Sequence, residues 1–302
     1  MDSVEAIVLG SASIGGVPEW DCCCPNCSRA RLEPGQRRTR SSLAVEVGDG
    51  KYALIDAGHD LKAQLEHHGL TPRPLNAEGF RESRVEAVFL THGHADHTVG
   101  LAEFCTGKSF GIPVYGPPDL LEFLFGPPGR PNYFGALGRL ARDYVKPLEL
   151  EAGVPVDVGG VKFMGFEAPH TQTLEDGSKY PSSTYVYKVS GGGSELVYAP
   201  DLGRLDPWFM ELIEDVDVLL LDATFWWDDE LRRVSNIPVT SKQLGHVPME
   251  EALVALSDSG VGRVVFTHLN HTNPVLDPAN PQRKAVEEAG MEIAFDGMRL
   301  RL

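Results

Sequence analysis

The segment Thr91-His92-Gly93-His94-Ala95-Asp96-His97 places three histidines and one aspartate within six residues, straight after the apolar run Val85–Leu90. Neutral imidazole and carboxylate are leading donors for zinc and similar ions. On a tight turn at a strand end, so dense a set can face one cation or two adjacent ones. Further donors follow other apolar runs: His170 after Phe163–Ala168, Asp201 after Leu196–Ala199, and His268 after Val264–Thr267. Alone, such a histidine is usually packed or hydrogen-bonded, and such an aspartate is a turn former. Together they supply the shell that a two-cation site needs.

A second set lies in WDCCCPNC, residues 20–27, which holds four of the five cysteines. An odd, clustered set argues against a disulfide framework and for metal or thiol chemistry. Cys22, Cys24 and Cys27 give three thiolates on a turn at Pro25-Asn26, and a structural zinc takes four ligands. Cys23 stays open as an alternative to Cys22, because side-chain direction in a turn is not set by spacing. Cys105 reads as a buried apolar residue.

The elements that must carry these donors are legible in part. Strands are expected at Val4–Leu9, Leu43–Val47, Tyr52–Ile55, Val85–Leu90, Val161–Glu167, Thr184–Val189, Leu196–Ala199, Val216–Leu221 and Val264–Thr267. Helices are expected at Leu61–His68, Pro207–Ile213, Met249–Leu256 and Gln282–Ala289. Gly48-Asp49-Gly50 signals a hairpin, and Gly191–Ser194 a turn between strands. Ser11–Arg40 reads as a loop. The mixture points to a layered α/β architecture in one domain over 1–302.

The chain has 302 residues, ordinary composition and a net charge of −16, which disfavours broad binding to nucleic-acid phosphates. There is no apolar run of membrane-spanning length, and Met1–Glu5 lacks a secretory signal, so no membrane partner and a cytoplasmic location are expected.

HxHxDH followed by a distant His, Asp and His resembles the pattern of the metallo-β-lactamase superfamily, nearly end to end. The resemblance implies an αββα sandwich with metals at one edge of its two sheets. It implies that His92, His94 and His170 hold one metal, that Asp96, His97 and His268 hold the other, and that Asp201 bridges them. Asp56 of IDAG would hydrogen-bond a ligand histidine from behind. Two branches are especially similar. LGSASIGGVPEWDCCCPNC, LGHVPM and the segment from His268 to Leu302 resemble the PqqB family of pyrroloquinoline quinone (PQQ) biosynthesis. The Cys-x-Cys-x-x-Cys and complete metal motif resemble the PhnP phosphodiesterases, which open cyclic ribose phosphates. Typical PqqB sequences lose histidines of HxHxDH, and this chain keeps them. The PhnP pattern implies His271 as the fourth ligand of the structural zinc, and a non-ligand catalytic role for His246.

The implied function is a metal-dependent hydrolase of a phosphodiester or cyclic phosphate. Two divalent cations (zinc, manganese or iron), about 3.5–4 Å apart, would make hydroxide available near neutral pH. Asp96 would orient it while binding metal, and His246 would protonate the leaving group. The alternative is a PqqB-type, iron-dependent oxidation or hydroxylation in the making of a PQQ-like cofactor. A third reading is a non-catalytic metal-binding partner, which the complete ligand set disfavours. The expected partner is a small, anionic substrate, and a homodimer is left open. His67 and His68 read as surface residues on a helix end, while His59 could line the site. Asp228, Asp229 and Glu230, beside Trp226 and Trp227, read as a solvated acidic face, with a substrate-gating loop as the sharper option. Arg37, Arg38 and Arg40 either approach an anionic substrate or coat a loop.

Overall fold

The computed structural model describes residues 4–72, 82–105, 111–126, 144–170 and 182–302. Among them the strands are β1 (Glu5–Gly10), β2 (Ser42–Glu46), β3 (Tyr52–Ile55), β4 (Val85–Phe89), β5 (Ile112–Gly116), β6 (Val145–Glu149), β7 (Val156–Val158), β8 (Val161–Ala168), β9 (Thr184–Gly191), β10 (Ser194–Ala199), β11 (Val218–Asp222), β12 (Arg263–Thr267), β13 (Glu292–Ile293) and β14 (Arg299–Arg301). They form two seven-stranded sheets, ordered β14-β1-β2-β3-β4-β5-β6 and β13-β12-β11-β10-β9-β8-β7.

The sheets pack face to face. Val8, Val45, Ile55 and Phe89 of the first meet Phe163, Tyr187, Leu196, Val218 and Leu220 of the second. Phe89 stacks on Phe163 with ring centroids 4.3 Å apart. Alternate residues point outward and are covered in turn. Leu54, Val88 and Val114 pack under the helices Leu61–His67 and Pro118–Phe125. Val197, Leu219, Leu221 and Phe266 pack under Pro207–Leu212, Met249–Ala255 and Pro281–Glu288. Strands buried on both faces read as unbroken apolar runs, which is why VLLLD and RVVFT show no alternation. The result is the αββα sandwich.

Strand direction places the chemistry. β3 runs parallel to β4, and β10 to β11 and β12. β8 lies antiparallel to β9, which is antiparallel to β10, so β8 and β10 also point one way. The C-terminal ends of parallel neighbours emerge together, the place where open α/β sheets bind ligands.

Several elements differ from the sequence reading. Ser11–Arg40 is not all loop: Pro25–Leu32 is a helix, with Pro25 in its first turn and the Cys24 thiol accepting the Cys27 N–H. Pro25 and Asn26 therefore start a helix rather than fill a turn. β5 and β6 each carry a proline, which hides them from strand patterns. No helix among the described residues is long and apolar enough to cross a membrane.

Candidate metal centre

Six chain segments deliver donors to one edge of the sandwich. Thr91 and His92 follow β4, Asp56 follows β3, His170 follows β8, Asp201 follows β10, Asp222 ends β11 and His268 follows β12. Asp56 and His268 have left-handed backbones, φ 66° and 59°, which non-glycine residues adopt at a cost of about 1–2 kcal/mol. Such strain is typical of functional sites.

The donors fall into two adjoining groups, His92, His94, His170 and Asp201, and Asp96, His97 and His268, while Asp201 and His268 also converge with His246. Within each group the ligand atoms lie within 4.8 Å of one another. Asp201 faces both. Its Oδ1 is 3.6 Å from His170 Nε2, while its Oδ2 is 3.2 Å from His97 Nε2 and 3.6 Å from His268 Nε2. These are the seven residues singled out in the sequence. Their fit to cations rests on polar atoms left without a partner: Asp96 Oδ1, His97 Nε2, His170 Nε2 and Asp201 Oδ2 are buried and make no hydrogen bond. Unpaired buried atoms are costly, and convergent ones are what a bound cation would satisfy.

Charge agrees with geometry. Burial, then the neighbouring rings, pushes His92 and His170 well below the ordinary imidazole value, and burial brings His94 to about 4. Neutral imidazole is the ligating form. Burial works against ionised Asp96, but His97 and His268 outweigh it and hold the carboxyl well below its usual range. Around His97, burial is outweighed by Asp96, Asp56 and Asp201, which raise it. Three carboxylates thus call for positive charge at this point, as a proton or a cation. The donor set suits divalent cations.

Ring orientation is fixed from behind. His97 Nδ1 donates to Asp56 Oδ2 at 2.7 Å, as expected for a carboxylate behind a ligand histidine. His170 Nδ1 donates to the Gly245 carbonyl at 2.7 Å. Gly245 has φ 83°, and a Cβ there would come within 2.9 Å of His170 Nδ1, so only glycine fits. His246 lies between two of these rings, 4.9 Å from His170 and 5.7 Å from His268 by centroid. Its Nδ1 donates to Asp222 Oδ2 at 2.7 Å. Burial alone would lower its pKa, but Asp222, Asp201 and Asp96 raise it. Asp222 and Thr224 were missed in sequence: LLLDAT looks like a strand running into a turn, and nothing local marks its polar residues.

Cys22, Cys24, Cys27 and His271 form a separate group of converging ligand atoms. Cys23 is exposed and outside it. His271 turns Nδ1 to Cys24 Sγ at 3.6 Å, while its Nε2 meets Glu19 Oε2 at 2.7 Å. Glu19 also donates its main-chain N–H to Cys27 Sγ at 3.3 Å.

The remaining expectations divide. His59 and His67 are exposed, while His68 is half-buried with Nε2 on the Leu9 carbonyl at 3.2 Å. Glu230 and Trp226 are buried, which corrects the solvated-face reading for Glu230; Asp228 and Asp229 are partly exposed. The arginines serve the fold. Arg38 is partly buried and donates to Ser11 Oγ and the Ala294 carbonyl, Arg40 pairs with Asp60, and Arg37 donates to the Ala30 carbonyl. Cys105 is partly buried against the first sheet's outer core.

Comparison with known proteins agrees with the fold. The model of the "Beta-lactamase superfamily domain" matches residues 51–269. Coenzyme PQQ synthesis protein B of Methylobacterium radiotolerans is 34% identical over 312 residues, covering 99% of this chain and 100% of the relative. Its counterpart in Azoarcus sp. is 32% identical over 311 residues, covering 98% and 99%. The crystal structure of Zn(2+)-bound PqqB from Methylobacterium extorquens superposes with a TM-score of 0.84 at 30% identity, covering 99% of this chain and 100% of that one. A diphosphatase of the PhnP family shares the fold, with a TM-score of 0.70 at 23% identity over 99% of this chain and 97% of that one.

Proposed function

The chain belongs to the β-lactamase superfamily, as a full-length relative of coenzyme PQQ synthesis protein B, and from that premise we propose a metal-dependent hydrolase acting on a phosphodiester or cyclic phosphate. The observation that carries this reading is the complete set of seven convergent donors with unpaired buried atoms aimed at one another. His92, His94, His170 and Asp201 Oδ1 would hold one divalent cation. Asp96, His97, His268 and Asp201 Oδ2 would hold the second. Such a pair, when bound, supplies an acidified water and positive charge against substrate oxygens.

The protein's own groups do the rest. Asp96 turns Oδ2 toward His97 and His268, and whichever of its oxygens the cation leaves free would accept a hydrogen bond from the attacking water. His246 gives its Nε2 proton to the departing oxygen. Asp222 keeps that ring oriented and favours its charged form. An anionic substrate fits such a site, because two cations would face it and the carboxylates near His246 favour its protonated form. Cys22, Cys24, Cys27 and His271 would hold a structural zinc that ties the amino-terminal segment to the segment after β12.

A second reading has its own support. The full-length relatives are named for PQQ synthesis, and histidine with carboxylate suits iron as well as zinc or manganese. On that reading the same residues hold iron for an oxidation or hydroxylation. Metal analysis of protein purified without added metal, with a screen of bis(p-nitrophenyl) phosphate, cyclic nucleotides and lactones, separates the two. Ester hydrolysis that needs the bound metal supports the first. Iron as sole metal with no ester hydrolysed supports the second.

A further inference from the structure

Asp56 and Asp222 lie on different sheets, yet each is the centre of the same small construction. Asp56 Oδ1 accepts the Thr91 N–H at 2.8 Å and the Thr91 hydroxyl at 2.9 Å, and its Oδ2 meets His97 Nδ1 at 2.7 Å. Asp222 Oδ1 accepts the Thr224 N–H at 2.9 Å and the Thr224 hydroxyl at 2.7 Å, and its Oδ2 meets His246 Nδ1 at 2.7 Å. In each case the threonine oxygen reaches a second histidine. Thr91 Oγ1 lies 3.0 Å from His92 Nδ1, and Thr224 Oγ1 lies 2.8 Å from His268 Nδ1. All the partners are buried.

Proton counting assigns the tautomers. An ionised carboxylate only accepts, and a threonine hydroxyl has one proton. That proton goes to the aspartate, so the hydroxyl oxygen can only accept from the histidine. His92 and His268 must therefore carry hydrogen on Nδ1, which leaves the Nε2 lone pair facing the donor cluster. The chain path differs between the two constructions. Asp56 and Thr91 leave the neighbouring strands β3 and β4, whereas Asp222 and Thr224 leave β11 alone. Equal geometry from unequal connectivity is what a shared demand on the site produces.

We propose that Thr91 and Thr224 are positioning residues, each fixing one metal-ligand histidine, His92 and His268 respectively, in the tautomer that presents Nε2. This rests on the ligand assignment proposed above. Loss of such an outer partner costs about 10–100-fold in metal affinity. The two threonines serve different cations, so their loss should weaken different binding steps.

The test is zinc titration of metal-depleted protein against a chromophoric chelator, with cobalt(II) spectra to distinguish the two sites. Thr224→Val should weaken one catalytic site by about 10–100-fold, and Thr91→Val the other. Thr224→Ser and Thr91→Ser, which keep the hydroxyl, should stay near wild type. If a valine variant does not fold, the smaller Thr→Ala change carries the same test. Wild-type binding at both sites in both hydroxyl-free variants would overturn the proposal while leaving the ligand assignment intact. Wild-type protein that takes up zinc at the thiolate group alone would overturn the assignment, and the proposal with it.

Discussion

Glu230 turns a misread surface into a measurable one. Its carboxylate is buried, accepting the Trp226 N–H at 2.6 Å and the Thr272 hydroxyl at 2.5 Å. It thereby ties the Trp226–Trp227 segment to the residue after His271. Burial outweighs these hydrogen bonds and raises its pKa from an ordinary 4.5 to about 7. The folded state thus holds the proton more tightly than the unfolded state. Its contribution is fully present below the unfolded pKa and is lost as pH rises through the folded one. At 1.36 kcal/mol per pH unit the full swing is about 3.4 kcal/mol. Between about pH 6 and about pH 8.5 the share is about 1.4 kcal/mol. Glu230→Gln cannot ionise, and it turns an amide N–H toward one of the two donors, at a constant cost of about 1 kcal/mol. Urea unfolding with metal in excess reads the difference. Against the fully protonated protein the wild type has already lost about 2 kcal/mol at the lower pH, so the variant should be the more stable protein there by about 1 kcal/mol, and by about 2.4 kcal/mol at the higher. A gap independent of pH would refute the claim that Glu230 is held protonated by burial.

Three further outcomes follow from the same geometry. His246→Ala should keep wild-type metal content but lose about 10²–10⁴-fold in turnover on esters with poor leaving groups, and much less on p-nitrophenyl esters, whose leaving group needs no proton; steady-state rates on a leaving-group series decide it. His271→Ala should lose one zinc by metal analysis and lower the thermal midpoint, because His271 is the link between the thiolates and the segment after β12. Gly245→Ala should destabilise by about 1 kcal/mol or more through its positive φ and weaken cation binding by displacing His170, as calorimetry and metal titration would show.

The donors themselves were legible because metal chemistry restricts residue type, and each follows an apolar run that ends at the same sheet edge. The hairpin at Gly48–Gly50 and the turn after β9 were equally plain, since both need positive φ. What escaped was set by partners distant in sequence. Asp222 and Thr224 look like the end of a strand until His246 and His268 arrive from later segments. Glu19 gains meaning only when His271 packs against it. Charge alone made Glu230 look solvated, and Arg38, read as approaching a substrate or coating a loop, instead donates to Ser11 and Ala294, from opposite ends of the chain. Helix Pro25–Leu32 was hidden among cysteines because a thiol is an unusual cap.

The central claim is hydrolysis by a two-cation site, and oxygen tracing tests it most directly. Protein loaded with two divalent cations per catalytic site is incubated without oxygen gas in ¹⁸O-enriched water with bis(p-nitrophenyl) phosphate or a cyclic ribose phosphate, and the product is weighed by mass spectrometry. The account predicts metal-dependent formation of a phosphomonoester carrying one oxygen from water. No phosphomonoester under these conditions, together with consumption of oxygen gas on an organic substrate when the iron-bound protein is assayed in air, would contradict it.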